Sequence, residues 1–437
     1  MNFLSQFFSI LNIEQIEHSV LRNYQELPTS TGGSDLDILI NSQDKFKVIS
    51  ILKKLSKENG GGIISIIPSP FCPRICLLGC HEAGWGLMID LHIDKIMYRD
   101  YTIISNSCIW KNTFHFNKEV MALNSKADTL IGLFKELLNN EHCQSKYYEN
   151  FQRLALEKQF INDLFSDIHK PKLGEFLLEY KNIPYSKTVI QQLVSRLNIE
   201  FPKSRFSFFK HIKKILRLFN QPGFTIAFLG TDGSGKSTLI QNIKPALNSA
   251  FHKAVYYEHM RPNKFPSIAK LLGKKEHFDG PVTNPHESKP SGSLGSLVRW
   301  SYYMLDYTLG FYLKVYPKKS IRSCVWIFDR YYYDYLIDPR RSRINLPQWL
   351  FKLGQMLIPE PDIIICLGTD AKAIHQRKPE LSLEEVERQV LALRDFSMTH
   401  KNALWIDTGE SIHISSQKTL DAISKIMSTR FESVKVF

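Results

Sequence analysis

The chain has 437 residues, and at about 100–200 residues per domain this length predicts two or three domains. Hydrophobic residues make up 43% and charged residues 23%, a composition that excludes a disordered, collagen-like or coiled-coil protein. The 56 Lys and Arg residues outnumber the 43 Asp and Glu residues, and the net charge of +13 suits phosphorylated small molecules, nucleic acid or a membrane surface as partners.

The cysteines and the amino terminus bear on the compartment. Seven cysteines, an odd number, do not make a disulfide framework, so we expect a reducing, cytoplasmic location. Cys72, Cys76 and Cys80 lack the paired spacing of a zinc site, which favours free thiols over metal ligands.

Residues 1–13 are apolar without a positive flank, a pattern typical of a packed helix and not of a signal peptide. Because no run of about 18 apolar residues occurs, we expect no membrane span.

Residues 1–125 form the first predicted domain, in which short apolar runs alternate with helical patterns. Asp35 and Asp37 stand two residues apart at the start of an apolar strand, so both side chains point to one side of it. Asp90 lies in a second apolar strand about fifty residues on. Three carboxylates so placed are what a two-metal Mg²⁺ centre for nucleotidyl transfer requires.

The aspartate trio resembles the metal ligands of polymerase-beta-type nucleotidyltransferases. That resemblance implies an α+β nucleotidyltransferase-like domain that holds Mg²⁺ through Asp35, Asp37 and Asp90 and binds a nucleoside triphosphate. Active members carry Gly-Ser about ten residues ahead of the first aspartate, where this chain has Asn23-Tyr24-Gln25. Triphosphate binding therefore stays open, and the alternatives are a turn with an Asx cap or a catalytically silent domain.

Residues 126–220 form a second predicted segment, a helical connector. The spacing of apolar residues between 130 and 164 fits amphipathic helices. At 203–219 basic residues alternate with apolar ones, a pattern typical of an interdomain helix with a basic face; the alternative is peripheral contact with an anionic membrane. Gln221-Pro222-Gly223 then ends the helix.

Residues 221–437 form the third predicted unit, an α/β domain. Helical patterns alternate there with strand-like apolar runs at 224–229, 255–257, 324–328, 363–367 and 404–406. This alternation predicts a doubly wound parallel sheet.

The segment Gly230-Thr231-Asp232-Gly233-Ser234-Gly235-Lys236-Ser237 satisfies the pattern G-x-x-x-x-G-K-S between an apolar strand and a helical run. In such a loop, glycines let backbone N–H groups close around a triphosphate at a helix N-terminus. Lys236 then reaches the β- and γ-phosphates, and Ser237 ligates Mg²⁺. We therefore predict binding of ATP or GTP through Gly230, Gly233, Ser234, Gly235, Lys236, Ser237 and Thr238.

Three further features resemble thymidylate kinases in type and in order: Asp232 in the loop, Asp329-Arg330-Tyr331 at the end of a strand, and 361–367 followed by a helix to Arg377. The resemblance covers 223–437. It implies a P-loop kinase that uses ATP and Mg²⁺ and forms a homodimer through kinase-domain helices.

The resemblance also assigns roles to arginines, which phosphoryl transfer needs around the moving group. It places Arg261 and Arg330 at the acceptor phosphate. The loop position that carries an arginine in some members is Gly233 here. A lid arginine must then contact the transferred phosphate, with Arg377 ahead of Arg388 and Arg394 as the candidate.

Two carboxylates are the acid–base candidates of this half of the chain. Asp329 ends a strand at the carboxyl edge of the predicted sheet, where it can hold Mg²⁺ through water. Asp232 can act as the acceptor-side base or positioning group.

Residues 332–341 depart from thymidylate kinases, because they lack the Ser and Ala-Tyr-Gln residues that line the thymine site in that family. Carboxylates, an arginine pair and tyrosines stand there instead, a set suited to hydroxyl-rich or multiply anionic acceptors. The longer pattern resembles thymidylate-kinase-like proteins of bacterial surface-polysaccharide loci.

The predicted function is therefore phosphate transfer to a small-molecule acceptor, a nucleotide, sugar or polyol phosphate, in surface-polysaccharide precursor synthesis. The alternatives are a dTMP or other nucleoside monophosphate kinase, nucleic-acid end processing, and a nucleotide-gated regulatory protein. Nucleic acid is the less favoured partner, because the sequence shows no groove-reading or base-stacking module.

Overall fold

The structure, a computed structural model, describes residues 2–98, 101–153, 158–202, 217–266, 268–271, 292–342, 344–432, 434 and 436. The strands are β1 (His18–Val20), β2 (Leu36–Ile40), β3 (Gly61–Ile67), β4 (Arg74–Gly79), β5 (Trp85–Ile93), β6 (Ile96–Tyr98), β7 (Tyr101–Ile104), β8 (Thr113–His115), β9 (Met121–Leu123), β10 (Phe224–Gly230), β11 (Val255–His259), β12 (Val325–Asp329), β13 (Ile363–Gly368) and β14 (Ala403–Asp407).

The α-helices are α1 (Phe3–Ile13), α2 (Lys45–Glu58), α3 (Asn106–Lys111), α4 (Ser125–Lys135), α5 (Ser145–Arg153), α6 (Lys158–Ser166), α7 (Pro171–Glu179), α8 (Lys187–Glu200), α9 (Lys236–Ala250), α10 (Ile268–Leu271), α11 (Ser293–Leu305), α12 (Tyr316–Arg322), α13 (Asp334–Ile337), α14 (Gln348–Leu357), α15 (Ala371–Arg377), α16 (Leu383–Thr399) and α17 (Ile412–Phe431). Two π-helical segments, Glu136–Asn140 and Asp306–Val315, extend α4 and join α11 to α12. Short 3₁₀ turns cover Ser42–Asp44, Tyr180–Asn182 and Arg340–Ser342.

The carboxy-terminal sheet has five parallel strands in the order β11-β12-β10-β13-β14. The prediction of a parallel sheet is confirmed, and the predicted strand ends fall within two residues of the observed ones. After β10 the chain builds β11 and β12 on one side of this strand, and β13 and β14 then follow on the other. Open parallel sheets bind ligands where the strand order reverses in this way, at the carboxyl end of the central strand.

The amino-terminal sheet has seven strands in the order β3-β4-β5-β2-β1-β9-β8, and it mixes parallel and antiparallel pairs. Strands β2 and β5 run parallel, with Asp37 opposite Asp90 in the register. This pairing brings together the two strands that carry the predicted metal ligands. The chain as a whole is therefore mixed α/β.

Helices α9 and α17 lie between the two sheets. They pack on the carboxy-terminal sheet and also contact β3, β4 and β5, so one continuous apolar core spans residues of both sheets. The contact is closest at Gly86, where a Cβ atom would lie 1.9 Å from the carbonyl oxygen of Ala246 in α9. Only glycine permits this approach of strand and helix. The boundaries predicted near 125 and 220 stay a prediction.

The helical segment after β9 packs in a separate apolar cluster, which includes Leu39 of β2 and Leu21, the residue after β1. The stretch at 203–219, predicted to be an interdomain helix with a basic face or, alternatively, a membrane contact, lies outside the described residues except for 217–219. No helix in the described part of the chain is long and apolar enough to cross a membrane. All seven cysteines are free thiols.

Candidate active site

The phosphate loop connects β10, which ends at Gly230, to α9, which begins at Lys236. Gly233 and Gly235 have φ angles of +82° and +87°, in the left-handed region that glycine adopts without strain. A Cβ atom at Gly233 would lie 3.0 Å from the carbonyl oxygen of Ile374 and 3.1 Å from the Cβ of Lys378. The loop therefore closes against the end of α15, and its backbone conformation and close contacts favour glycine at position 233.

Lys236 is buried at the centre of the loop. Its Nζ donates hydrogen bonds to the carbonyl oxygens of Gly230 at 2.7 Å and Thr231 at 2.8 Å. Burial, and then the positive charge of Arg330, lower the pKa of Lys236 to about 7. An anionic ligand at the loop would stabilise the ammonium form.

Asp329 and Arg330 stand at the carboxyl end of β12, next to the loop. One carboxylate oxygen of Asp329 accepts a hydrogen bond from the Tyr257 hydroxyl at 2.8 Å, and the other is buried with no protein partner. Arg330 has a φ angle of +73°, an uncommon and strained conformation for a residue with a side chain. Such strain is typical of positions where the direction of a side chain serves a site.

Four charged side chains form a chain of ion pairs, which we call the acceptor-side network: Asp334, Arg330, Asp232 and Arg341. Arg330 donates to Asp334 and to Asp232, in each case at 2.6 Å, and Arg341 donates to the second oxygen of Asp232. Burial alone would raise the pKa of Asp232, but the charges of Arg330 and Arg341 outweigh it and hold that pKa well below its usual range. Asp232 is thus fully ionised.

Lys236, Asp329 and three members of this network, Asp232, Arg330 and Arg341, line a cleft of about 660 Å³ at the carboxyl ends of the strands. Among the described residues its lining consists of Asp232, Gly233, Gly235, Lys236, Ser237, Thr238, His259, Asp329, Arg330, Arg341, Arg377, Lys378, Thr408, Glu410, Ile412 and Ser415. The sequence indicated Arg341 only as one of an arginine pair in a set suited to the acceptor, and it did not indicate the Thr408 to Ser415 wall. The arginine pair at 340 and 341 was the available signal for the first, and no motif marks the second.

Several buried polar atoms in and around this cleft have no protein partner. They are the hydroxyl oxygens of Thr231, Ser234 and Thr408 and the second carboxylate oxygen of Asp329. Leaving such atoms unpaired is costly, so a ligand that supplies partners would stabilise the site. Beside the Ser237 hydroxyl, this donor set fits phosphate oxygens and Mg²⁺ with its water ligands.

The remaining predicted residues take different places. Arg377 lines the cleft and donates to the carbonyl oxygen of Thr408 at 3.3 Å. Arg261 does not line it, because its guanidinium binds the fully buried Asp306 at 3.2 Å and stacks over the Tyr303 ring. Gly230 and Ser234 are buried in the loop.

The other two lid candidates lie on α16 outside the lining of the cleft. Arg388 pairs with Glu385, and Arg394 lies over the Trp405 ring.

The tyrosines after Arg330 also lie away from the cleft. Tyr331, Tyr332, Tyr333 and Tyr335 are fully buried in the core on the outer face of the sheet. The hydroxyl of Tyr332, for example, donates to the carbonyl oxygen of Phe351 at 3.1 Å. Of the residues from 332 to 341, Arg341 is therefore the one that lines the cleft.

The amino-terminal aspartates also converge. Oxygen atoms of Asp35, Asp37 and Asp90 all lie within 4.8 Å of one another, a spacing that suits one divalent cation. Arg22 pairs with both Asp35 and Asp37, and Arg74 binds both oxygens of Asp90 at 2.7 and 2.8 Å. A cation at the trio would therefore have to compete with two guanidinium groups of the same chain.

No protein-family model matches the sequence, and no curated protein matches it. Among solved structures it is similar to the thymidylate kinase of Ehrlichia chaffeensis, with 17% identity and a TM-score of 0.33 over 46% of this chain and 100% of that one. The thymidylate kinase of Candida albicans gives 16% identity and a TM-score of 0.34 over 46% of this chain and 92% of that one. At these values the likeness carries no argument about function, which must come from the residues of the cleft.

Proposed function

We propose that the chain is an ATP- and Mg²⁺-dependent phosphotransferase that acts on a small-molecule acceptor. One observation carries the proposal: Lys236, Asp329, Arg330 and Arg377 reach one cleft, directly above the loop that joins β10 to α9. Phosphoryl transfer depends chiefly on in-line positioning and on positive charge around the transferred group. The cleft provides the positive charge, and the loop would position the nucleotide.

The nucleotide would bind in the part of the cleft that the phosphate loop lines. Backbone N–H groups at the start of α9 and the ammonium group of Lys236 face its β- and γ-phosphates. Ser237 and Asp329 would hold Mg²⁺, which neutralises charge on the phosphate oxygens when it is bound. Arg377 lines the same cleft, where its guanidinium would contact the transferred phosphate.

The acceptor would bind on the side of Asp232 and Arg341. An acceptor oxygen attacks the γ-phosphorus while the bond from that phosphorus to the oxygen of ADP breaks. Asp232 orients the acceptor, and Arg330 is fixed by two carboxylates at the place where charge develops.

The loop lysine provides the test. We expect Lys236→Ala to weaken binding of the non-hydrolysable nucleotide Mg-AMPPNP by about 10- to 100-fold, because a charged hydrogen-bond donor to the phosphates is lost. Calorimetry measures the change. Lys244→Ala is the matched control, because Lys244 lies on the same helix away from the cleft. Equal affinities of the two variants would contradict a nucleotide role for the loop.

The amino-terminal aspartates carry a second and separate proposal, a nucleotidyltransferase-like centre. The convergence of Asp35, Asp37 and Asp90 favours it, and pairing with Arg22 and Arg74 opposes it. Binding of Mn²⁺, followed by electron paramagnetic resonance, would decide. The proposal requires a bound ion that Asp37→Asn abolishes, and it fails if neither the wild-type protein nor the Lys236→Ala variant, whose three aspartates are intact, binds one.

The two halves would act in sequence in the making of a surface-polysaccharide precursor, with phosphorylation first and nucleotidyl transfer second. This pathway role rests on the sequence resemblance. Incubation with ATP, CTP, GTP and UTP tests it, because a coupled scheme must place a nucleotide, and not only phosphate, in the product.

A further inference from the structure

The acceptor side of the cleft differs from its nucleotide side in the balance of charge. Building on the proposed phosphotransferase function, we infer that the acceptor is an uncharged hydroxyl compound, such as a sugar, polyol or nucleoside, and not a phosphate ester. Four observations carry this inference.

The first is the acceptor-side network itself. It alternates negative and positive groups from Asp334 through Arg330 and Asp232 to Arg341, and its two arginines are matched by two carboxylates. The side chains of Arg330, Asp334 and Asp232 are only 6%, 5% and 12% exposed. Because the pairs are shielded from water, their charges compensate each other strongly.

The second is the position of Arg261. The resemblance to thymidylate kinases assigns it to the acceptor phosphate, but it is paired with Asp306, whose side chain is fully buried. Asp306 also accepts hydrogen bonds from the backbone N–H groups of Asn263, Lys264 and Phe265. Withdrawing Arg261 would leave Asp306 as a buried charge without a cationic partner, which is strongly unfavourable.

The third is where the uncompensated cations lie. Among the described residues that line the cleft, Lys236 and Arg377 make no ion pair with a carboxylate, whereas Lys378 pairs with Glu380. Both unpaired cations belong to the nucleotide side. A second phosphate group on the acceptor side would therefore meet Arg330 and Arg341 with their charges already compensated by Asp232 and Asp334, and no further Lys or Arg lines that side among the described residues.

The fourth is the set of hydrogen-bond acceptors. Each oxygen of Asp232 accepts one hydrogen bond, from Arg330 or Arg341, and can accept a further one. Hydroxyl groups donate to such oxygens, and phosphate dianions do not. In the transfer step the acceptor hydroxyl oxygen forms a bond to the γ-phosphorus, ADP leaves with its bridging oxygen, and the hydroxyl proton passes along Asp232 to water.

Calorimetry on the full-length protein saturated with Mg-AMPPNP tests the inference, with inorganic phosphate and dTMP as anionic probes. We expect no binding of either probe to the wild-type complex at about 1 mM. Asp232→Asn leaves Arg330 and Arg341 without their shared carboxylate, so we expect its affinity for both probes to rise about tenfold or more. Asp334→Asn removes the other partner of Arg330, so we expect it also to raise the affinity for both probes. It takes the place of Asp232→Asn in the test if that variant does not fold.

Asp395→Asn is the matched control, because it removes one negative charge at an exposed position of α16 outside the cleft. It should leave probe binding unchanged. Tight binding of phosphate or dTMP to the wild-type complex, or no gain in both network variants, would overturn the inference. Failure of Mg-AMPPNP itself to bind would instead count against the proposed function.

Discussion

The lysine of the phosphate loop is the residue whose protonation the cleft alters most directly. Without a ligand, its pKa of about 7 leaves Lys236 largely neutral at pH 8.5. A bound triphosphate stabilises the ammonium form, so we expect Mg-AMPPNP to bind at pH 8.5 with uptake of about one proton. Calorimetry in buffers of different ionisation enthalpy measures this uptake. Lys236→Arg, whose side chain stays charged, should bind without it, and equal uptake in both proteins would contradict the assignment.

Asp128, close to the amino-terminal aspartates, predicts a pH dependence of stability. Burial, and to a lesser extent the charge of Asp37, raise the pKa of Asp128 to about 6 against the opposing effect of Arg22. Because this pKa lies above that of the unfolded chain, the free energy of unfolding falls as pH rises from about 4 to 6. We expect Asp128→Asn to stabilise the protein by about 1–2 kcal/mol above pH 6 and not at pH 4.

Urea unfolding at a series of pH values measures this difference. The control is Asp395→Asn, at an exposed position of α16. A gain from Asp128→Asn that is the same at pH 4 and pH 8 would contradict the pH dependence.

At the residue scale, a contiguous motif is the part of the candidate site that the sequence could place by itself. The loop from Gly230 to Ser237 is contiguous, so its spacing alone brings Gly233, Gly235, Lys236 and Ser237 to one place. Arg341 and Arg261 were not predictable in this way. Their positions depend on ion pairs with Asp232 and Asp306, which lie 109 and 45 residues away in the chain.

At the element scale, the tight packing of β5 on α9 makes a specific prediction. A Cβ atom at Gly86 would meet the Ala246 carbonyl oxygen at 1.9 Å and the Ala250 nitrogen at 2.8 Å, and neither backbone atom can yield easily. We expect Gly86→Ala to reduce the free energy of unfolding by about 2–3 kcal/mol, because strand and helix must separate. Urea unfolding measures the loss.

Gly132→Ala is the matched control within α4. Its Cβ would meet only the Tyr147 ring, at 3.6 Å, which is an ordinary contact. This variant should gain about 0.5–1 kcal/mol, because alanine favours the helix interior. The packing argument fails if the two variants shift stability in the same direction.

The strands of the carboxy-terminal sheet were predictable from sequence because each is a short apolar run bounded by polar segments. The layer formed by α9 and α17 was not. Both helices bury residues toward two sheets, and amphipathic periodicity shows that a helix face is apolar without showing which sheet will cover it. The glycine at position 86, unremarkable in the sequence, is explained only by the helix that it contacts.

At the scale of the whole molecule, the shared core predicts that the two sheets unfold together. Helix α9 begins at the phosphate loop and packs against β5, so a nucleotide bound at the loop should stabilise the amino-terminal sheet as well. We expect Mg-AMPPNP to slow amide hydrogen exchange in β4 and β5 to a similar degree as in β12 and β13. Protection confined to the carboxy-terminal strands would show that the sheets unfold independently.

The central claim, phosphate transfer from ATP to a small molecule at this cleft, is tested most directly with ATP labelled in the γ-phosphate. The purified protein is incubated with this ATP, Mg²⁺ and a mixture of small metabolites, and the labelled products are separated. We predict a labelled organic product that the wild-type protein and Asp37→Asn both form and that Lys236→Ala does not. Label found only in ATP and inorganic phosphate, or an equal yield from Lys236→Ala, would contradict the claim.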